Sequence, residues 1–351
     1  MLATVRPVGA RIGLGCRAFG ISAARLATKA SDVPYTSSRA VGGDVNNVRS
    51  ETNRLEKTLS RFWNKASAAF DEDLKKWVVN LDDKPLKTPL GNKLAIPERK
   101  EQLALLVANE WDNLLDMKIK PTNLPLTSLT SRAIDLSNVF ETEKPDPNMV
   151  IKIGDLQDVK HDLLKYLDTD TCLIFATEDE YDGKLRKRQK ELYNALIEEY
   201  NSFFTEFGRQ NGLLPSENHK VQLQTLDCET DGLRGNSQTA EDRAVVLGWL
   251  DKLPLFDLVA LEKAILTSKS FLCGVTILRS NATDEATKKA IYQPNKASES
   301  EYYFKDIDEI TELGNLETIF QTEEWGEVED THDVDQAEWG RSLTAAALVC
   351  R

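Results

Sequence analysis

Between Asp306 and Asp335 the chain carries twelve carboxylates and not one Lys or Arg. A run this acidic cannot be buried whole, so it enters a fold only through whatever apolar face it keeps. Ile307, Ile310, Leu313, Leu316 and Phe320 supply that face. Their spacing of three and four residues puts them on one side of a helix that can dock on a core. Glu317 and Gln321, one turn apart, lie beside the stripe. Trp325-Gly326 then ends the helix, because glycine tolerates a left-handed cap. A charge run usually faces water, and a solvated acidic helix is one reading of this stretch. Against it stands the placement of Glu317, Gln321 and Trp325 at the edge of the stripe that Phe320 closes. That mixture is what a polar recognition surface needs, and these four are candidate binding residues.

The rest of the chain has material to dock against. With 351 residues and 41% hydrophobic content, one large or two modest domains with a real core are expected. No run of 18 or more apolar residues occurs, so no spanning helix is expected. Cys16, Cys172, Cys228, Cys273 and Cys350 are isolated, without a CxxC pair. They read as reduced, mostly buried thiols rather than a disulfide frame or zinc knuckle. Residues 1–30 hold Arg6, Arg11, Arg17, Arg25 and Lys29, no acid, and interleaved Ala, Leu, Ile, Phe and Ser. This is the composition of a mitochondrial transit peptide, whereas a secretory signal would need an apolar stretch without arginines. A disordered basic arm is the alternative. The whole chain carries −13, and without the five positive charges of that leader it carries −18. Such a charge repels nucleic acid and anionic membrane and favours basic or neutral partners.

Residues 31–58, rich in Ser, Gly, Asn and Val, have no helical or strand period and read as a disordered spacer. Lys76–Leu81 has strand chemistry, followed by a turn at Asp82-Asp83 and two short strands, Lys84–Thr88 and Lys93–Ile96. Residues 59–97 thus form a small β meander, with Pro85 and Pro89 marking edges or turns. Everything from 98 to 351 reads mainly helical, making the fold class α+β. Helices are expected from Pro97 through Leu114, over 126–136, over 155–167, and over 184–207 with Gly208 as the stop. Others follow over 240–252, from Pro254 to Leu266, and from Asp335 to Val349 with Trp339, Leu343 and Ala346 inward. Residues 280–305 have little periodicity and read as an inserted loop.

Catalytic chemistry is hard to find. Leu167-Asp168-Thr169-Asp170-Thr171 has the Asp-x-Asp spacing of the haloacid-dehalogenase phosphatases, in which one Asp attacks and the other transfers a proton beside Mg²⁺. That chemistry needs a loop after a buried parallel strand, and Asp162–Leu167 has helical period instead. The plainer reading has Asp168 or Asp170 capping a helix end or turn. His332 lies beside Asp333 and Asp335, but His161, His219 and His332 form no HxH or HxxxH pair, and a hydrogen-bonding role outweighs a metal site. Gly42-Gly43 and Gly232–Gly235 lack the strand, helix and Lys of a phosphate loop. No cofactor, no metal and no enzyme activity are expected.

One series of short motifs gives a resemblance. Arg61-Phe-Trp63, Pro85-Leu-Lys-Thr-Pro89, Gly91-Asn92, Glu110-Trp111, Pro121, Pro125-Leu-Thr127 and Ala133-Ile-Asp135 come first. Tyr166-Leu-Asp-Thr-Asp170-Thr171, Arg188-Gln189, Leu316-Glu317, Gln321, Trp325-Gly326, Glu329 and His332-Asp333 continue it. In this order they resemble the mitochondrial ATP synthase assembly factor 2 family over roughly residues 60–140, 160–260 and 306–345. Cys172, where the family carries a larger residue, and the 280–305 stretch depart from it.

The resemblance implies a small N-terminal β domain and a larger helical domain. It also implies a mitochondrial matrix chaperone that binds the free alpha subunit of ATP synthase before the catalytic head assembles. An acidic residue near the C-terminus matters in that family, and Glu317, Glu329 and Glu327 are the matches here. A monomer is expected when free, because each apolar stripe is narrow enough to be used inside the fold.

Overall fold

The computed structural model describes residues 61–114, 123–141, 146–232, 234–328 and 331–351. The expected leader (1–30), the spacer (31–58) and Glu329 lie outside these residues. Four strands open the described chain: β1 (Ala66–Asp71), β2 (Lys76–Leu81), β3 (Lys84–Pro85) and β4 (Ala95–Pro97). β2 is central, antiparallel to β1 on one side and to β3 and β4 on the other. β1 is absent from the sequence expectations because Ala-Ser-Ala-Ala has little β preference. Its hairpin is imposed by the turn, where Asp71 Oδ1 accepts the N–H groups of Asp73 and Leu74 and Lys75 adopts φ 52°. The strand expected over Lys84–Thr88 shortens to two residues, since each Pro removes a ladder donor.

Ten longer helices follow among the described residues. α1 (Glu101–Asp112) packs on β1 and β2, and α2 (Pro125–Phe140) begins at the expected proline. α3 (Pro147–Ile153) is unexpected, capped by Asp146, whose side chain accepts Asn148 N–H. Next come α4 (Leu156–Asp168), α5 (Lys184–Gln210), α6 (Ala240–Asp251), α7 (Leu255–Ser268) and α8 (Phe271–Asn281). α9 (Ile307–Trp325) and α10 (His332–Cys350) close the chain. Two short parallel strands, β5 (Ile174–Phe175) and β6 (Leu226–Asp227), pair beside α5. Among the described residues no helix is long and apolar enough to cross a membrane. Strand region and helices belong to one compact unit, Thr58–Arg351, and share one core.

Two helices differ from expectation for identifiable reasons. α8 is buried at every position from Phe271 to Arg279, so its sequence has no polar face and no helical period to detect. α5 runs through Gly208 and stops at Asn211, before Gly212 at φ 65°. Gly208 serves packing, because a Cβ there would stand 2.7 Å from Leu214 Cδ2 and 3.1 Å from Val245 Cγ1.

The 280–305 stretch is built from short helical turns, and Tyr292 and Gln293 within it are fully buried. Burial of the polar Gln293 is supported by Arg279, whose fully buried guanidinium donates to Gln293 Oε1 (3.1 Å), Asn295 Oδ1 (3.2 Å) and Glu199 Oε1 (2.8 Å). Cys172, Cys273 and Cys350 are free and buried and Cys228 half-buried, while Cys16 is outside the described residues.

Candidate functional site

α9 opens with a capping box: Asp306 accepts from Glu309 N–H and the Glu309 side chain accepts from Asp306 N–H. Ile310, Leu313 and Leu316 are buried as their spacing predicts, and Ile307 and Phe320 are half-buried. The helix is not straight. Asn315 leaves helical geometry (φ −115°, ψ 16°) just after Leu313, whose carbonyl accepts Tyr193 Oη at 3.0 Å. A side chain entering the backbone ladder is an ordinary cause of a kink. Gly314 stands at the same place, close against Trp339: a Cβ there would lie 3.1 Å from its ring.

Charge divides at that kink. Before it, Glu312 is held by Arg188 at 2.6 Å and Glu309 by Lys305 at 3.2 Å. After it, no salt bridge among the described residues reaches Glu317, Glu323, Glu324 or Glu327. Glu317 is exposed and accepts only a long hydrogen bond from Gln321 Nε2 (3.3 Å). Glu327 is exposed, and Trp325 is 73% exposed at the end of the helix. Val328 N–H donates to His332 Nδ1 at 2.9 Å, so this histidine has the plain hydrogen-bonding role.

Sequence reading missed one member of this surface. Tyr181 stands 5.9 Å from Phe320 and 6.0 Å from Trp325 between ring centroids. Tyr181, Asp182 and Gly183 place it there through three successive left-handed conformations, at φ 53°, 54° and 75°. For the two non-glycine residues this costs roughly 1–2 kcal/mol each, which the packed surroundings must hold. Partial burial, and then the Glu317, Glu180 and Glu324 carboxylates, raise the Tyr181 phenol above its ordinary range. The signal was an aromatic residue within the acidic stretch Glu178–Asp182, distant in sequence from α9.

The phosphatase spacing has a structural explanation. Asp168 ends α4, where its carboxylate accepts Gln238 N–H at 2.9 Å and pairs with Arg243. Asp170 is fully buried and accepts Cys172 N–H (2.9 Å) and Leu272 N–H (2.8 Å), capping one helical turn and the start of α8. Several family-like motifs are likewise brackets. Glu110 accepts Leu126 N–H and Thr127 N–H, capping α2 from α1, and Asp135 accepts Thr88 Oγ1 (2.5 Å) and Asn92 Nδ2 (2.7 Å). Above Asp135 opens a groove of about 630 Å³, lined by Leu86, Pro89, Leu90, Trp111, Leu124 and Ile153.

A family model described as ATP12 chaperone protein matches residues 60–201. The chain is 42% identical over 306 residues to Protein ATP12, mitochondrial, of Saccharomyces cerevisiae, covering 86% of this chain and 87% of that protein. It is 30% identical over 294 residues to Protein atp12, mitochondrial, of Schizosaccharomyces pombe, covering 84% and 83%. The crystal structure of Atp12 from Paracoccus denitrificans shares the fold, with a TM-score of 0.56 and 21% identity over 84% of this chain and 100% of that one. The α+β architecture, the ordered motif series and the near full-length similarity agree: the chain belongs to the ATP12 chaperone family.

Proposed function

We propose that this chain is a non-catalytic holder of the free alpha subunit of ATP synthase, acting in the mitochondrial matrix during assembly of the catalytic head. Family membership and an Arg-bearing, acid-free N-terminal stretch support the setting, and its relatives are named mitochondrial proteins. The observation that carries the site is the distal half of α9, where unpaired carboxylates and an exposed tryptophan stand together. A lone subunit of a ring exposes an apolar contact face that aggregates. Glu317, Phe320, Gln321, Trp325, Glu327 and Glu329 would cover such a face and imitate the polar contacts of the true neighbour. Release then needs no nucleotide, only a neighbour of higher affinity, so the holder binds moderately and as a monomer.

Expressing the alpha subunit with this chain tests the reading. Wild type keeps the alpha subunit soluble, and Glu317→Lys lowers the soluble yield about tenfold, because a buried like-charge contact costs upwards of about 1.4 kcal/mol. Circular dichroism should be unchanged, since Glu317 is exposed. Parallel Glu327→Lys and Glu329→Lys variants rank the three carboxylates. Full rescue by all three would move the client to the apolar groove above Asp135, where Ile151 is 81% exposed nearby on α3. No rescue by wild type would overturn the chaperone reading of this chain.

A further inference from the structure

We infer that the Tyr181–Phe320–Trp325 cluster is a receptor for an arginine side chain projecting from a basic segment of the client. This inference rests on the proposed client role of α9. Three independent sources of negative potential converge there. Aromatic faces carry a negative quadrupole that attracts cations, and Trp325 leaves 73% of its surface free. The Glu317, Glu324 and Glu180 carboxylates lie close enough to act on the Tyr181 hydroxyl. The C-terminus of α9 ends at Trp325 and adds the partial negative charge of its terminal carbonyls.

Among the described residues no salt bridge reaches Glu317, Glu324 or Glu180, and the one cation in the turn, Lys184, is placed on Asp182 at 3.9 Å. Arg188 is spent on Glu312 and Glu191 before the kink. A charge-complementary occupant must therefore come from outside the described fold. A guanidinium suits the cluster better than an ammonium: it is planar, stacks on rings, sheds water more readily and forks onto a carboxylate such as Glu317.

The left-handed run gives the cluster its rigidity. Tyr181 belongs to a turn at φ 53°, 54° and 75°, and its ring meets those of Phe320 and Trp325 at 5.9 and 6.0 Å between centroids. A ring already fixed in place loses little freedom when a ligand stacks on it, so more of the contact energy appears as affinity.

The test uses the full chain and three probes: hexaarginine, hexalysine and the neutral isostere hexacitrulline, followed by tryptophan emission and calorimetry. Hexaarginine should bind, hexalysine more weakly and hexacitrulline not measurably. Trp325→Leu keeps an apolar side chain but removes the π face, and should weaken hexaarginine binding about tenfold. Trp325→Phe should stay within about threefold of wild type. Equal hexaarginine affinity in wild type and Trp325→Leu would overturn the receptor, leaving only diffuse acidic attraction. Alpha-subunit capture separates the two readings. Capture retained by Trp325→Leu removes the receptor and leaves the chaperone role. Hexaarginine binding without any alpha-subunit capture removes the client and leaves the receptor.

Discussion

Replacing Asp170 by alanine lowers the unfolding free energy by about 3–5 kcal/mol at neutral pH, a large part of what an ordinary domain possesses. The carboxylate is fully buried and accepts two backbone N–H groups, from Cys172 and Leu272. Removing it orphans both donors where water cannot replace it, at roughly 1–3 kcal/mol each, and leaves a small cavity. Asp170→Asn should cost less, about 1–3 kcal/mol, because one amide oxygen can still accept while the NH₂ group faces a donor.

The pH dependence has a definite sign. Burial, opposed by hydrogen bonds from Ser270, Leu272 and Cys172, pushes the Asp170 carboxyl up from an ordinary 3.8 to about 6. The folded chain therefore binds this proton more tightly than the unfolded chain, and this group favours folding as pH falls from about 6 towards 4. Urea titrations of wild type and Asp170→Ala should show the stability gap widening by roughly 1 kcal/mol between pH 7 and pH 5. A gap that narrows over this interval would mean that the ionised carboxylate is the form the fold prefers.

This aspartate also shows how far the sequence was legible. The Asp-x-Asp spacing suggested chemistry, and the helical period before it argued for a cap, which is what the backbone bonds of Asp170 provide. Apolar stripes found α1, α2, α9 and α10, each with a polar side to contrast with its buried one. α4 and α5 lie where helices are expected, over 155–167 and 184–207, and the start signals Thr239-Ala-Glu-Asp and Pro254 found α6 and α7. Periodicity could not find α8, which is buried all round, or β1, whose Ala-rich strand is held by a hairpin turn. The candidate site was half legible. Glu317, Phe320, Gln321, Trp325 and Glu327 share one helix or its immediate end, so local spacing groups them. Tyr181 joins them only through a left-handed turn and tertiary packing; Gly183 marks the end of that turn, but nothing in a linear pattern announces the left-handed Tyr181 and Asp182 before it or their meeting with α9. Motifs such as Glu110-Trp111 and Ala133-Ile-Asp135 identify the family well because they bracket elements together, which makes them poor guides to where a client binds.

The second large effect concerns the segment that delivers the chain to α9. Arg279→Met should cost about 3–5 kcal/mol and reduce client capture as well, although Arg279 lies in the core rather than on the exposed face of α9. The guanidinium is fully buried, with its carbon 4.3 Å from the Phe203 ring centroid and 4.6 Å from that of Tyr303. It donates to Tyr292 O at 2.8 Å and to Gln293 and Asn295, so one charge holds three of the four residues Tyr292–Asn295, all but Pro294. That stretch leads directly into α9, and Lys305 N–H is tied back to Ser280 Oγ at 3.0 Å. Burial would raise the Glu199 carboxyl, but hydrogen bonds from Asn295 and Lys296 and the Arg279 charge outweigh it and hold the carboxyl below its usual range. Methionine fills similar volume yet satisfies none of these acceptors, leaving Tyr292 O and the Gln293 amide buried with fewer partners. Arg279→Lys should recover part of the loss, since an ammonium can reach a carboxylate but cannot fork to several oxygens while stacking on rings. Chemical denaturation gives the stability of both variants, and hydrogen exchange over 288–310 tells whether the loss is local. A methionine variant within about 1 kcal/mol of wild type would mean that desolvating the arginine cancels all it gains, as buried ion pairs sometimes do. Loss of stability without faster exchange over 288–310 would place the anchoring elsewhere. Faster exchange there, together with weaker alpha-subunit capture at a temperature where the core is still folded, would make Arg279 a positioning residue for the client surface.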